Sequence, residues 1–145
     1  MTEQKTCYVA GPMRGYDLWN FPAFDRWRDF LIADGWKVWS PADMDRDLGL
    51  DENDYPELPA WFTMGDTLKR DFTAIIDSNA IVLLPKWEGS SGASVHELPV
   101  AHSLSCDVYL AIEDEDGKPL SIVLVEPDQV LEWVLAYGVN RTATH

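Results

Sequence analysis

Three short apolar runs in this chain each stop at a proline. Cys7 to Ala10 runs into Gly11-Pro12, Lys37 to Ser40 into Pro41, and Ala80 to Leu84 into Pro85. Short runs bounded in this way suit strands buried on both faces. A fourth follows at Asp107 to Ile112 and a fifth at Ser121 to Val125. Between them lie stretches of helical spacing. Phe21, Phe24, Trp27, Phe30 and Leu31 share one stripe, with Asn20 suited to the N-cap, Pro22 in the first turn and Gly35 at the close. Further helices are expected over about Ala60 to Asp77, Ser94 to Leu104 and Asp128 to Tyr137.

Strands that are apolar throughout and alternate with helices imply a parallel sheet covered on both faces. The expected fold is α/β: one Rossmann-like or flavodoxin-like domain over residues 1–145, with a parallel five-stranded sheet. Ligands of such sheets bind beyond the carboxyl ends of the strands. The acidic stretch 42–59, with Pro56, Pro59 and Trp61 at its end, reads as a long surface loop or a lid.

The formal net charge of −14 limits the partners. A field of that sign repels polyanions, so no nucleic acid polymer is expected, whereas a few backbone N–H groups and one arginine can still hold a single phosphate. No apolar run reaches the roughly 18 residues of a membrane span, and Met1 to Thr6 is polar, so neither a membrane nor a leader is expected. Cys7 and Cys106 are far apart, lie in or directly beside expected strands and lack metal-ligand spacing. They read as free thiols in a reducing cytoplasm, and neither a metal nor a cofactor is expected.

Four elements carry candidate chemistry. The loop Gly11-Pro12-Met13-Arg14-Gly15 offers close backbone approach and a fixed cation, although a strand-to-helix turn needs glycine anyway. The loop Gly89-Ser90-Ser91-Gly92-Ala93-Ser94 enters a helix and presents N–H groups and hydroxyls to an anion. Glu97 stands about one turn into that helix; a first-turn glutamate that favours the helix dipole is the ordinary alternative. Its neighbour His96 reads as a surface histidine. Asp71 could be a solvated helix-face charge, and Tyr8 a core tyrosine with a partner for its hydroxyl.

Together these elements resemble the nucleoside 2-deoxyribosyltransferase superfamily, closest to its 2′-deoxynucleoside 5′-monophosphate N-hydrolase branch. The resemblance spans nearly the whole chain. Tyr8-Val9-Ala10-Gly11-Pro12 is similar to the opening strand and loop, Asp71 through Asn79-Ala80-Ile81-Val82 to the aspartate helix and third strand, and Ser91-Gly92-Ala93-Ser94-Val95-His96-Glu97 to the nucleophile motif. Glu113 through Pro119 resembles a turn of the transferases. The resemblance implies Glu97 as nucleophile, Tyr8 as its orienting partner and Asp71 as the group that handles the proton of the leaving base. It implies phosphate contacts from Gly11, Pro12, Met13, Arg14, Gly15, Ser91 and Gly92, and from Ser121 of a second subunit in a homodimer or larger homo-oligomer.

Two serines point to the monophosphate branch. Transferases of free nucleosides carry an aspartate where Ser91 stands and an asparagine where Ser121 stands. A carboxylate would repel a 5′-phosphate, whereas a serine hydroxyl can donate to one. Pro12 departs from the pattern and removes one N–H from the loop. Trp19, Asn20, Asp43 and Trp87 are candidate walls for the base, and Trp39 a further one. The expected activity is hydrolysis of the base–sugar bond of a nucleotide. The alternatives are a deoxyribosyltransferase that exchanges bases and a non-catalytic protein that sequesters a nucleotide.

Overall fold

The computed structural model describes residues 4–50, 53 and 63–143. Five strands, β1 (Thr6–Ala10), β2 (Lys37–Trp39), β3 (Ala80–Leu83), β4 (Asp107–Glu113) and β5 (Pro119–Leu124), form one sheet in the order β2-β1-β3-β4-β5. The first four are parallel, with Tyr8 aligned to Trp39 on one side and to Ile81 on the other. β1 is buried throughout, as its apolar run requires.

β5 departs from the expected all-parallel sheet, because it runs antiparallel to β4. The reason is local. Only residues 114–118 separate the two strands, and the Asp114 side chain accepts from the backbone N–H of Asp116 and of Lys118, each at 2.9 Å. Gly117 supplies the left-handed residue at φ +82°. A turn this short returns the chain beside its own strand, whereas a parallel crossover needs a dozen or so residues.

Among the described residues five α-helices, α1 (Phe21–Ala33), α2 (Pro41–Asp47), α3 (Met64–Ile76), α4 (Leu98–Ser103) and α5 (Pro127–Ala143), accompany the sheet. Phe21, Phe24, Trp27 and Leu31 of α1 pack on Cys7, Val9, Val82 and Leu84 at one face of the sheet. On the other face, Ala74 and Ile75 of α3, Leu98 and Ala101 of α4 and Val130 of α5 pack on Tyr8, Ala10, Ile81 and Leu83. Among the described residues no helix is long and apolar enough to cross a membrane.

Part of the expected loop over 42–59 is helical. α2 opens with Pro41 in its first turn after Ser40, carries Asp43 where the helix dipole favours an anion, and buries Ala42, Met44 and Asp45. Residues 51, 52 and 54–59 of that stretch, Pro56 and Pro59 among them, lie outside the described residues, as does Trp61. α3 starts later than about Ala60: Thr63 caps it by accepting from the Asp66 N–H, and Asp66 returns the bond to the Thr63 backbone.

The helix expected over Ser94 to Leu104 is divided. Gly92–Glu97 is π-helical and only Leu98–Ser103 is α-helical. Pro99 supplies a reason, since it has no N–H to give the Val95 carbonyl and its ring crowds that oxygen, so the ladder widens ahead of it. Glu97 closes the widened segment.

Candidate active site

Tyr8 sits at the middle of β1, an interior strand of the sheet, with its side chain fully buried. Its hydroxyl donates to Glu97 Oε2 at 2.5 Å, across 89 residues of sequence. That length suits an O–H donating to a carboxyl group out of water. Asp71, on the inner side of α3, faces the same Glu97 side chain closely enough for each carboxyl group to act on the other. Residues 8, 71 and 97 are thus one buried cluster, built where β1, α3 and the π-helical segment meet.

The electrostatics follow from burial. The Glu97 carboxyl is pushed well above the usual carboxylate range, first by desolvation and then by the facing Asp71; the Tyr8 hydroxyl pulls it back in part. Asp71 is also raised, chiefly by burial, against the lowering effect of the Arg70 guanidinium. Two carboxyl groups in contact out of water hold one proton between them more readily than none. Tyr8 itself is raised by burial and by both carboxyl groups, so it stays a neutral donor.

Arg70 and Asp45 are the functional candidates that inspection of the sequence missed. Arg70 Nε donates to Asp71 Oδ1 at 3.0 Å, and its Nη1 donates to Asp45 Oδ1 at 2.6 Å. Asp45 is buried on α2. No local pattern announces either contact: neighbours i and i+1 on a helix do not ordinarily face each other, and Asp45 lies 25 residues from its partner.

The expected phosphate loops lie side by side. Ser90 Oγ reaches the Gly11 carbonyl and accepts from the Ala93 N–H, both long at 3.5 Å, and Ser94 Oγ donates to the Ser90 carbonyl at 2.8 Å. Gly11 is fixed by packing: a Cβ there would stand 2.8 Å from Leu84 Cβ. Gly15 takes φ +88°, the left-handed turn for which glycine is suited. Pro12 is buried, Met13 packs beside the α1-side core, and Arg14 and Ser91 are exposed. Gly92 opens the π-helical segment. Ser121 is exposed on β5, opposite Ile112, away from the Tyr8 cluster.

The candidate base walls are held by contacts to distant segments. Asp43 accepts from Arg28 Nη1 at 2.6 Å and from Arg46 at 3.3 Å, within a network that also ties Arg46 to Asp25. Trp87 is buried and meets Trp133 and Tyr137 edge-on, with centroids 5.1 and 5.5 Å away. Trp39 donates to Asp77 at 3.1 Å. Asn20 does not cap α1 with its side chain; its Nδ2 donates to the Pro12 carbonyl at 2.8 Å. Leu18, Trp19 and Asn20 are all left-handed, at φ 51°, 53° and 62°. Such residues without glycine cost about 1–2 kcal/mol each, so the latch from Asn20 helps hold a turn that is locally unfavourable.

A four-stranded parallel core, a fifth antiparallel strand, and a buried tyrosine–glutamate–aspartate cluster define an α/β protein with a carboxylate site on one face of its sheet. The chain belongs to the family described as "Domain of unknown function (DUF4406)", whose model matches residues 5–110, from β1 into β4. A solved structure with a similar fold is a 2-deoxyribosyltransferase from the psychrotolerant bacterium Bacillus psychrosaccharolyticus, described as a biocatalyst for the synthesis of antiviral and antitumoral nucleosides. The TM-score is 0.51 and the identity 18%, with 72% of this chain and 70% of that one covered. At that identity the likeness is one of fold. No curated protein matches the chain.

Proposed function

We propose that this protein is an N-glycosidase that hydrolyses the base–sugar bond of a (2′-deoxy)nucleoside 5′-monophosphate through a glycosyl ester on Glu97. One contact carries the reading: the buried Tyr8 hydroxyl on Glu97 at 2.5 Å, with Asp71 facing the same carboxyl group. A glutamate at a helix start needs neither partner. A nucleophile that must approach an anomeric carbon in one orientation needs both.

The chemistry follows from these groups. Glu97, as carboxylate, bonds to C1′ as the C1′–N bond breaks and its electron pair leaves with the base. Asp71 delivers the proton that the departing nitrogen takes up. The single proton that the pair retains suffices for this step, because one group acts as a base-free nucleophile while the other is the acid. Water then attacks C1′, giving a proton to the Asp71 carboxylate, as the C1′–O bond to Glu97 breaks and frees the sugar phosphate. A non-catalytic binder would gain nothing from a carboxyl group kept out of water at this cost.

The phosphate is assigned to the loop of Gly11 to Gly15 with Arg14, to Ser91 and Gly92, and to Ser121 of a second copy in a homodimer or larger assembly. The contact between Ser90 and Gly11 supports joining the two loops in one site, and the exposure of Ser121 on an edge strand leaves it accessible to a neighbour. The two free cysteines suit a cytoplasmic setting. A deoxyribosyltransferase is the second reading, favoured by the fold shared with an enzyme of that kind. It uses the same Glu97 ester and differs in that a second base, in place of water, attacks it.

The test is a panel of ribo- and deoxyribonucleosides and their 5′-monophosphates, scored by chromatography for free base. Base is expected from monophosphates. Base from nucleosides alone overturns the phosphate assignment, and a new nucleoside or nucleotide on addition of a second base assigns transfer. No release from any member overturns the proposal.

A further inference from the structure

Behind Asp71 lies a second layer of charge. Arg70 Nη1 stands 2.6 Å from Asp45 Oδ1, and its Nη2 and Nε stand 2.9 and 3.0 Å from Asp71 Oδ1. The Asp45 and Asp71 side chains are only 4% and 8% exposed, and that of Arg70 19%. α2, α3, the π-helical segment and β1 therefore contribute one continuous chain of polar groups: Asp45, Arg70, Asp71, Glu97 and Tyr8.

We propose that Asp45 and Arg70 are positioning residues: Asp45 anchors the guanidinium, and the guanidinium aims the Asp71 carboxylate and decides which of Asp71 and Glu97 holds their shared proton. The inference rests on the reading of Glu97 as nucleophile and Asp71 as acid. Buried ion pairs are weak sources of stability, since well-packed apolar side chains often do as well or better. Retaining two carboxylates around one guanidinium is accounted for by orientation. Two donors of the planar fork converge on one Asp71 oxygen and leave the other free of Arg70, a geometry that lysine cannot reproduce.

The fork also sets the path of the proton. Arg70 lowers Asp71, whereas Glu97 is pushed up by burial and by Asp71, so on this proposal the shared proton rests on Glu97 before the C1′–N bond breaks. When the C1′–N bond breaks, the Glu97 O–H proton passes to Asp71 and from there to the base nitrogen, while the freed Glu97 carboxylate forms the C1′–O bond. Among the described residues, the ionisable groups that act on the pair are Tyr8 from β1, Asp45 from α2 and Arg70 from α3. His96 adjoins Glu97 in sequence and is half-buried, and α5 brings Tyr137 to the same side of the sheet.

Removal of the cation and removal of its anchor must act in opposite directions. Arg70 favours the ionised pair, whereas Asp45 disfavours ionisation of Asp71. The readout is the carboxyl 13C NMR titration of Asp71 and Glu97 in the intact protein, assigned with Asp71→Asn and Glu97→Gln. Arg70→Gln is expected to raise the titration of the pair by about one pH unit, and Asp45→Asn to lower it by about half a unit. Arg70→Lys keeps the charge and should titrate near wild type, yet lose about tenfold in kcat on an active nucleotide with KM little changed. Folded Arg70→Gln and Asp45→Asn proteins that titrate as wild type, or that shift in the same direction, overturn the proposal. If Arg70→Gln does not fold, Asp45→Asn decides alone, a downward shift supporting the proposal and no shift overturning it. A wild-type protein that turns over no nucleotide sinks the N-glycosidase reading, and the titration still decides whether the pair is set by Arg70.

Discussion

The two faces of β1 differ in kind although one strand makes both. Cys7 and Val9 point to α1 and meet Phe21, Phe24, Trp27 and Leu31, a surface of carbon in which burial is favourable at every position. Tyr8, one residue away on the other face, points into a cluster that holds Glu97, Asp71, Arg70 and Asp45 out of water. The first face is built for stability alone. On the second, each charged group is held by another, and the carboxyl pair at the centre is held in a protonation state that it would not keep in water. Even Cys7 shows the contrast: burial pushes its thiol up to about 12, so it behaves as an apolar side chain.

Substitutions on the two faces should separate activity from stability. Glu97→Ala is expected to lower kcat/KM on an active nucleotide by about a thousandfold or more, with a circular dichroism spectrum like that of the wild type. On the opposite face, Trp27→Ala removes a fully buried ring and its bond to Glu113, 2.6 Å long. It should cost about 3–5 kcal/mol in denaturant unfolding, while the protein that remains folded keeps the wild-type pH profile. Tyr8→Phe is expected to lower kcat about 10- to 100-fold, the loss of one hydrogen bond to a charged group. It should also move the Glu97 titration to higher pH, since the hydroxyl lowers it.

The smallest effect has the opposite sign. The folded-state pKa of Glu97 is raised, so its contribution to stability is intact below the usual carboxylate range and is lost as pH rises through the folded value. Glu97→Gln escapes that loss. Its advantage over wild type should grow with pH across that window and reach about 1 kcal/mol, a gain of roughly 2–4 °C in Tm by calorimetry, in a protein that has lost its activity. A lower Tm for Glu97→Gln at neutral pH would show that the two faces are energetically alike.

Legibility from sequence divides along the same line. The apolar face was readable, because strands that stop at proline and an aromatic stripe at helical spacing are local signals. The meeting of Tyr8, Glu97 and Asp71 in one place was legible too, because each belongs to a motif with a position in the α/β plan. The direction of β5 was misjudged because the shortness of the 114–118 turn outweighs the α/β alternation upstream. α2 was hidden by its charges, since Asp43, Asp45, Arg46 and Asp47 read as an acidic loop until the partners of Asp45 and Asp43 are known. The contacts of the candidate base walls are just as far from local: Asp43 pairs with Arg28, and Trp87 packs against Trp133. Contacts made across 25 or 89 residues leave no trace in local spacing.

The central claim is a covalent bond between a sugar and one side chain. Incubation with a 2′-fluoro-2′-deoxynucleoside 5′-monophosphate, whose fluorine slows breakdown of the ester, followed by intact-mass and peptide mass spectrometry, tests it directly. The expected result is a mass increase equal to one fluorodeoxyribose phosphate less one water on the peptide containing Glu97, absent from Glu97→Gln. Base release with no adduct, or an adduct mapped to another residue, would contradict it.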